Sequence, residues 1–303
     1  MPGLPSVRLT GAAALFALVL LVYQSPQIAA TFKADGPDPN GIPVAANTPE
    51  LGPSPQSSRR IGLDAVAQQA AVTAARSGAD ISIAILDRET GDLVSSGDHG
   101  AFPTASVSKL FIADDLLMGL SQRGQLLSPE DQAQLDNMLR ASDDKAADDF
   151  WKSGGGSAVI TRVAQRYGLK DLTPPYDGNW WNTMSTTEDL VRYYDKLLSG
   201  EGGLPAVQVA TMLTDLSAST PLGFDGYPQR FGIPDGLSGE QVAVKQGWMC
   251  CWNGANQVHL STGVAGSDHR FAIAVASMQP VDDATARATI TAALKTMFPA
   301  GRI

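Results

Sequence analysis

The sequence predicts an α/β protein of the α+β type: an antiparallel sheet of about five strands flanked by helices, with an all-helical subdomain inserted. Three observations point there. A hairpin pattern opens the folded part, three strand-like runs lie near its end, and the stretch between reads as helices. Neither set of strands can bury its apolar face alone, so the two must meet in one sheet.

The elements follow in order. Residues 1–30 carry one positive charge, Arg8, ahead of the apolar run Gly11 to Tyr23. That run is short of the about 20 residues a membrane-crossing helix needs. It fits the apolar core of an export signal, with Ala29 and Ala30 at a cleavage point. An uncleaved membrane anchor is the alternative fate. No cysteine lies nearby, so a lipid-modified N-terminus is not expected. Residues 31–60 are rich in Pro, Gly, Asn and Ser without apolar periodicity, and read as a disordered linker. The folded domain is expected over 61–303. Ala-rich spacing predicts a helix over 61–79. Ile81, Ile83 and Ile85 alternate before the turn residues "DRETGD", giving a hairpin over 81–97. Helices are expected over 106–121, over 128–152 in two pieces broken at Ser142, and over 157–167 after "GGGS". Ser185 and Glu188 read as a capping box for a helix over 185–198. Strands over 241–248, 256–266 and 269–278 and a helix over 282–297 complete the chain.

Composition narrows the function. A net charge of −9 leaves no basic face for nucleic acid and no electrostatic pull toward anionic membranes. Any membrane association is expected only through the N-terminal segment. His99, His259 and His269 are scattered and no metal-ligand spacing exists, so no metal or other cofactor is expected. The two cysteines, Cys250 and Cys251, are adjacent. A vicinal disulfide is conceivable, but the expectation is one buried and one exposed thiol on a strand or its turn. Asp114 and Asp115 are expected to face solvent, and His259 and Arg270 to lie at the surface or a strand end.

The chemistry centres on "TASVSKLF", residues 104–111. Ser106 and Lys109 lie one helical turn apart on one face, where an amine can take a hydroxyl proton near a helix N-terminus. Alone, the pair could equally be a capping serine and a solvated lysine. Two further pieces raise it. "MLRASDDKAADDFW" places Ser142 and Asp144 where two helical pieces meet, and "VAVKQGW" places Lys245, Gln246, Gly247 and Trp248 on a strand.

Over 61–303 the chain resembles the class A serine β-lactamase and D-alanyl-D-alanine-peptidase superfamily of penicillin-recognising proteins. The resemblance implies that Ser106 is the acylated nucleophile and Lys109 its proton partner. Ser142 would carry a proton to the leaving nitrogen. Lys245 would hold a substrate carboxylate and tune Ser142. Asp144, Gln246, Gly247 and Trp248 would bind substrate, and the N–H groups of Ser106 and of Trp248 or Met249 would form the oxyanion hole.

The departures are specific. Asp144 stands where the family usually has Asn, and Gln246 where it has Thr or Ser. The interval from Ser106 to Ser142 is shorter than in typical class A enzymes, so part of the helical insert is missing. The loop "KDLTPPYDGNWWNTM", residues 170–184, lacks the glutamate that activates the deacylating water. Asp177 sits in its centre but reads as a turn residue, and Glu188 as a cap. Trp180 and Trp181 are expected to wall the cleft or pack over the core. Three readings follow. The first is an exported serine hydrolase forming an acyl-enzyme on a D-alanyl peptide from peptidoglycan, a β-lactam or a related amide or ester, with poor β-lactam deacylation. The second is a divergent class A β-lactamase. The third is a catalytically inactive binding protein of the cell envelope. No oligomeric state is implied.

Overall fold

The computed structural model describes residues 55–303; the export signal expected at 1–30 and the linker as far as residue 54 lie outside the described residues. In chain order, α1 (Pro55–Arg76) leads into the hairpin β1 (Asp80–Asp87) and β2 (Asp92–Gly97), then the two-residue β3 (Phe102–Pro103). A 3-10 turn (Ala105–Ser108) runs into α2 (Lys109–Gln122). The helical insert continues through α3 (Pro129–Arg140), α4 (Asp144–Ser153) and α5 (Ala158–Tyr167). After β4 (Met184–Ser185) come α6 (Thr187–Ser199), α7 (Ala206–Ser217) and the short α8 (Ile233–Gly236). Strands β5 (Val242–Trp252), β6 (Asn256–Ala265) and β7 (Phe271–Gln279) and helix α9 (Asp283–Met297) close the chain.

The hairpin and the three late strands join in one five-stranded antiparallel sheet, as the sequence predicts, and its order is β2-β1-β7-β6-β5. Both faces are covered. Ile81, Ile83 and Ile85 point into a core with α1 and α9, while Ala84 and Leu86 point into a second core with the helical insert. The period-2 alternation of β1 therefore sorts one strand between two cores. Strand β5 lies at the sheet edge, beside the 3-10 turn that carries Ser106.

Some expectations are corrected. The opening helix starts at Pro55 instead of 61 and stops at Arg76; Pro is tolerated in a first helical turn, and Gly78 at φ 80° ends the helix. The cap of α6 is Thr186, whose hydroxyl accepts from Asp189 N–H, so there is no box between Ser185 and Glu188. Glu188 instead accepts from His99 Nδ1 at 2.8 Å. Cys250 and Cys251 are bonded to each other and both are exposed. The register slips between Cys250 and Trp252, and Cys251 takes a positive φ; this breaks the alternation that would have sent the two side chains to opposite faces. Helix α7 and the loop from 218 to 232 had no counterpart in the sequence reading.

Asp114 and Asp115 do not face solvent. Asp115 holds Arg162 through two bonds, and Asp114 is fully buried. Asp114 falls on the apolar stripe of α2 with Leu110 and Leu117, so helical spacing turns it inward. There it accepts from the Arg166 guanidinium, from Tyr167 Oη at 2.6 Å and from Tyr193 Oη at 3.1 Å. The cluster ties α5 and α6 to the helix that carries Lys109. Replacing Asp114 by Ala leaves a half-buried guanidinium without its anion. The expected loss is about 3–5 kcal/mol, measured by urea unfolding, with Asp114→Asn losing less.

Candidate active site

The nucleophile position is built by a short tether. Strand β3 pairs with β4, and Thr104 donates through both its N–H (2.7 Å) and its hydroxyl (2.9 Å) to Thr183 O. Ala105 then takes φ 46°, a left-handed conformation that a non-glycine residue holds only where its surroundings fix it. The chain re-enters helical geometry at Ser106, so Lys109 comes round to the same side.

Lys109 has no exposed surface. Its Nζ lies 2.8 Å from Ser106 Oγ, 2.8 Å from Ser142 O, 3.1 Å from Ser142 Oγ and 2.5 Å from Asp144 Oδ1. An ammonium has three protons for these four oxygens, and a neutral amine has two plus a lone pair that can receive the Ser106 proton. Burial pushes the Lys109 amine below its ordinary range, and Asp144 opposes that shift.

Ser142 sits between α3 and α4 at φ 60°. Asp143 caps α4, its carboxylate accepting from the N–H groups of Lys145 and Ala146. That positions Asp144 on the first turn and directs Ser142 inward. Lys245, on β5, is buried, and its Nζ lies 2.8 Å from Ser142 Oγ. Burial, reinforced by the like charge of Lys109, pushes the Lys245 amine well below its ordinary range. The four side chains Ser106, Lys109, Ser142 and Lys245 thus form one continuous hydrogen-bonded relay.

The expected substrate-binding residues divide. Asp144 and Trp248 line a cavity of ≈ 170 Å³ over Ser106, with Trp180, Trp181 and Met249. Gly247 acts through what it lacks: a Cβ there would lie 2.7 Å from Thr104 O, so only glycine lets β5 pack against the 3-10 turn. Gln246 is not in the cavity, which corrects its expected role. Strand alternation puts Lys245 and Gly247 on the site side and Gln246 on the other. Its amide donates to Gln229 O (3.1 Å) and Phe231 O (2.5 Å), fastening the loop 218–232 to β5. That loop brings Asp225 to the cavity, a lining residue the sequence reading missed. The "FDGYP" turn was there to be seen, but nothing local shows that it folds back over Ser106. Phe224 N–H donates to Ala141 O at 2.6 Å, next to Ser142.

The loop 170–183 closes the other side. Asp189 accepts from the N–H groups of Asp171 and Leu172, and Thr173 pairs with Met184. Asp177 accepts from Asn179 N, Asn179 Nδ2 and Asn182 Nδ2, so it serves the turn. Trp180 Nε1 donates to Asp148 Oδ1, and its ring lies 4.6 Å from Lys109 Nζ. An indole, where the resemblance expects a glutamate, is what this loop places beside the lysine. A larger cleft of ≈ 490 Å³ between α2, α4 and α5 lies away from this chemistry, and its Arg162 and Arg166 are already paired with Asp115 and Asp114.

Behind the cavity, Trp248 stacks on Tyr227 with ring centroids 4.4 Å apart. Tyr227 Oη in turn lies 2.7 Å from Nε2 of His259, which is fully buried and not a surface residue. Arg270 is at the far end of the sheet, paired with Asp87 and Glu89.

This architecture is the serine β-lactamase fold. The chain superposes on a β-lactamase from Chitinophaga pinensis with TM-score 0.63 at 16% identity, covering 78% of this chain and 100% of that one. It matches the TLA-1 extended-spectrum β-lactamase with TM-score 0.65 at 16% identity, over 78% of this chain and 98% of that one. A class A β-lactamase from Mycobacterium abscessus gives TM-score 0.62 at 20% identity, over 77% of this chain and 98% of that one. No family model matches the sequence. In sequence, proteins of Mycobacterium tuberculosis and Mycobacterium bovis named LppW, described provisionally as lipoproteins, are 56% identical over 261 residues, covering 86% of this chain and 83% of theirs. The chain belongs to the LppW family.

Two predictions follow from the packing. Gly247→Ala drives a methyl group against the Thr104 carbonyl and should lower stability by about 1–3 kcal/mol in thermal or urea unfolding. Burial pushes His259 down to about 4 from 6.5, against the opposing pull of Asp283. Between those pH values the unfolded chain takes a proton that the folded protein refuses, so stability falls as pH drops through the window. The total is about 3 kcal/mol. His259→Gln should remove that part of the acid sensitivity, read from urea midpoints at pH 7 and pH 4.5.

Proposed function

We propose that the protein is an exported serine hydrolase of the penicillin-recognising type, working through an acyl-enzyme. The observation that carries this is the relay: Lys109 Nζ within 3.1 Å of both serine hydroxyls, and Lys245 Nζ 2.8 Å from Ser142 Oγ. In this reading Ser106 Oγ bonds to the carbonyl carbon of an amide or ester as its proton passes to Lys109. The carbon–nitrogen or carbon–oxygen bond then breaks, and Ser142 delivers a proton to the leaving atom. The N–H of Ser106 and an N–H of Trp248 or Met249 on the edge strand would hold the oxyanion. A D-alanyl peptide of the cell wall, a β-lactam or a related amide or ester are the candidate substrates. The apolar run at 11–23 and the lipoprotein description of the LppW relatives support export to the cell envelope. Asp171 and Asp177 of the loop 170–183, and Glu188 after it, are not among the residues lining the cavity, so no base for a deacylating water is expected from this segment and the acyl group should persist.

One observation favours a second reading. The Asp144 carboxylate, 2.5 Å from Lys109, stabilises the ammonium form that cannot take the serine proton. That suits a binding protein which keeps the cleft without the chemistry.

The test is intact mass of the protein after long incubation with p-nitrophenyl acetate and, separately, benzylpenicillin. A slowly released adduct on wild type from at least one of the two reagents, absent in Ser106→Ala, is the expected result. No adduct from either reagent would overturn the hydrolase reading in favour of the binding protein. An adduct that forms and turns over while penicillin is consumed would favour a divergent β-lactamase.

A further inference from the structure

Resting on the reading that the cavity over Ser106 is the substrate site, we infer that this cavity selects a ligand carrying an ammonium group beside an apolar or aromatic surface, which among the candidate substrates favours a related amide or ester over the D-alanyl peptide and the β-lactam, both of which carry a carboxylate. Beyond Ser106 itself, the polar side chains that line the cavity are two carboxylates, Asp144 and Asp225. Asp144 uses Oδ1 on Lys109, yet its side chain keeps 68% of its surface open; Asp225 is exposed as well, its Oδ1 accepting from Tyr227 N–H at 2.9 Å and its Oδ2 bonding no described residue. Both amines lie below the lining: Lys109 is fully buried, and Lys245 donates to Ser142 Oγ and Gln246 O. No arginine or histidine is among the lining residues. The side chain that the resemblance would give to a carboxylate, Gln246, is turned into the fold and holds the loop that delivers Asp225. A carboxylate-bearing ligand would therefore meet two carboxylates, one of them paired with Lys109, and no arginine, histidine or exposed lysine in the lining.

The walls suit the opposite charge. Trp181 gives an exposed indole surface, which attracts cations through the ring quadrupole, while the Trp180 and Trp248 rings, already near Lys109 Nζ and Lys245 Nζ, complete an aromatic wall. Asp225 and Trp248 are set side by side by Gly223, where a Cβ would lie 2.6 Å from Asp225 Oδ1 and 3.3 Å from the Trp248 ring. Carboxylate and indole thus form one corner able to take an ammonium and the carbon chain next to it. The net charge of −9 adds a long-range bias in the same direction.

The test uses two probes of matched shape, phenethylammonium and 3-phenylpropanoate, titrated by tryptophan fluorescence into the full chain carrying Ser106→Ala, so that only reversible binding is read. The cation is expected to bind at least ten-fold more tightly at low salt. Asp225→Asn and Asp144→Asn should each reduce that preference several-fold, with circular dichroism confirming that both variants are folded. Equal or tighter binding of the anion, a preference unchanged in both folded variants, or no response to either probe would overturn the inference. The outcome is independent of whether Ser106 forms an acyl adduct, so failure here and failure of the hydrolase reading are separable.

Discussion

The site depends on one buried amine. Lys109 has lost its water, and a lysine without water must find oxygen atoms in the protein. It finds them on three separate pieces of chain: Ser106 on its own turn, Ser142 at the break between α3 and α4, and Asp144 on the next turn. Each requirement fixes an element. The 3-10 turn must hand over to α2 at Lys109, the helix break must put Ser142 at positive φ, and Trp180 must cover the amine from the loop side. Two residues in left-handed backbone geometry, Ala105 and Ser142, flank the amine, as expected where tertiary bonding overrides local preference.

Much of the fold could be read from residue order because its signals are local. The alternation of Ile81, Ile83 and Ile85, the break at Ser142 and the three late strands each declare themselves within a short window. That Ser106, Lys109, Ser142 and Lys245 come together was legible for the same reason: Ser106 and Lys109 are one turn apart, and Ser142 and Lys245 sit in recognisable neighbourhoods. Asp114 was misread because a carboxylate on an apolar stripe looks solvated until the arginine and two tyrosines that satisfy it, from distant segments, are known. Gln246 was misread because the side of an edge strand it occupies depends on what packs behind, here the backbone of residues 229 and 231. Asp225 was invisible because its loop is held at the cavity by contacts with residues distant in the chain, among them Arg140, Ala141, Gln246 and Trp248.

The Gln246 amide on β5 anchors the loop 218–232, and that loop brings the Asp225 carboxylate to the cavity wall. The loop 170–183 in turn brings the Trp180 ring to 4.6 Å from Lys109 Nζ, beside the oxygens that bond it. Both features flank the hydrogen-bonded group of Ser106, Lys109, Ser142 and Lys245.

The bond between Cys250 and Cys251 has a consequence for chain entropy. A cross-link between distant residues restricts the unfolded ensemble, and the restriction grows with the loop it closes. Here the partners are neighbours, with a sequence separation of 1, so the closed loop is as small as a loop can be. The bridge staples nothing to anything else. It shapes the tip of the β5–β6 hairpin and leaves the free energy of the domain to the two cores on either side of the sheet.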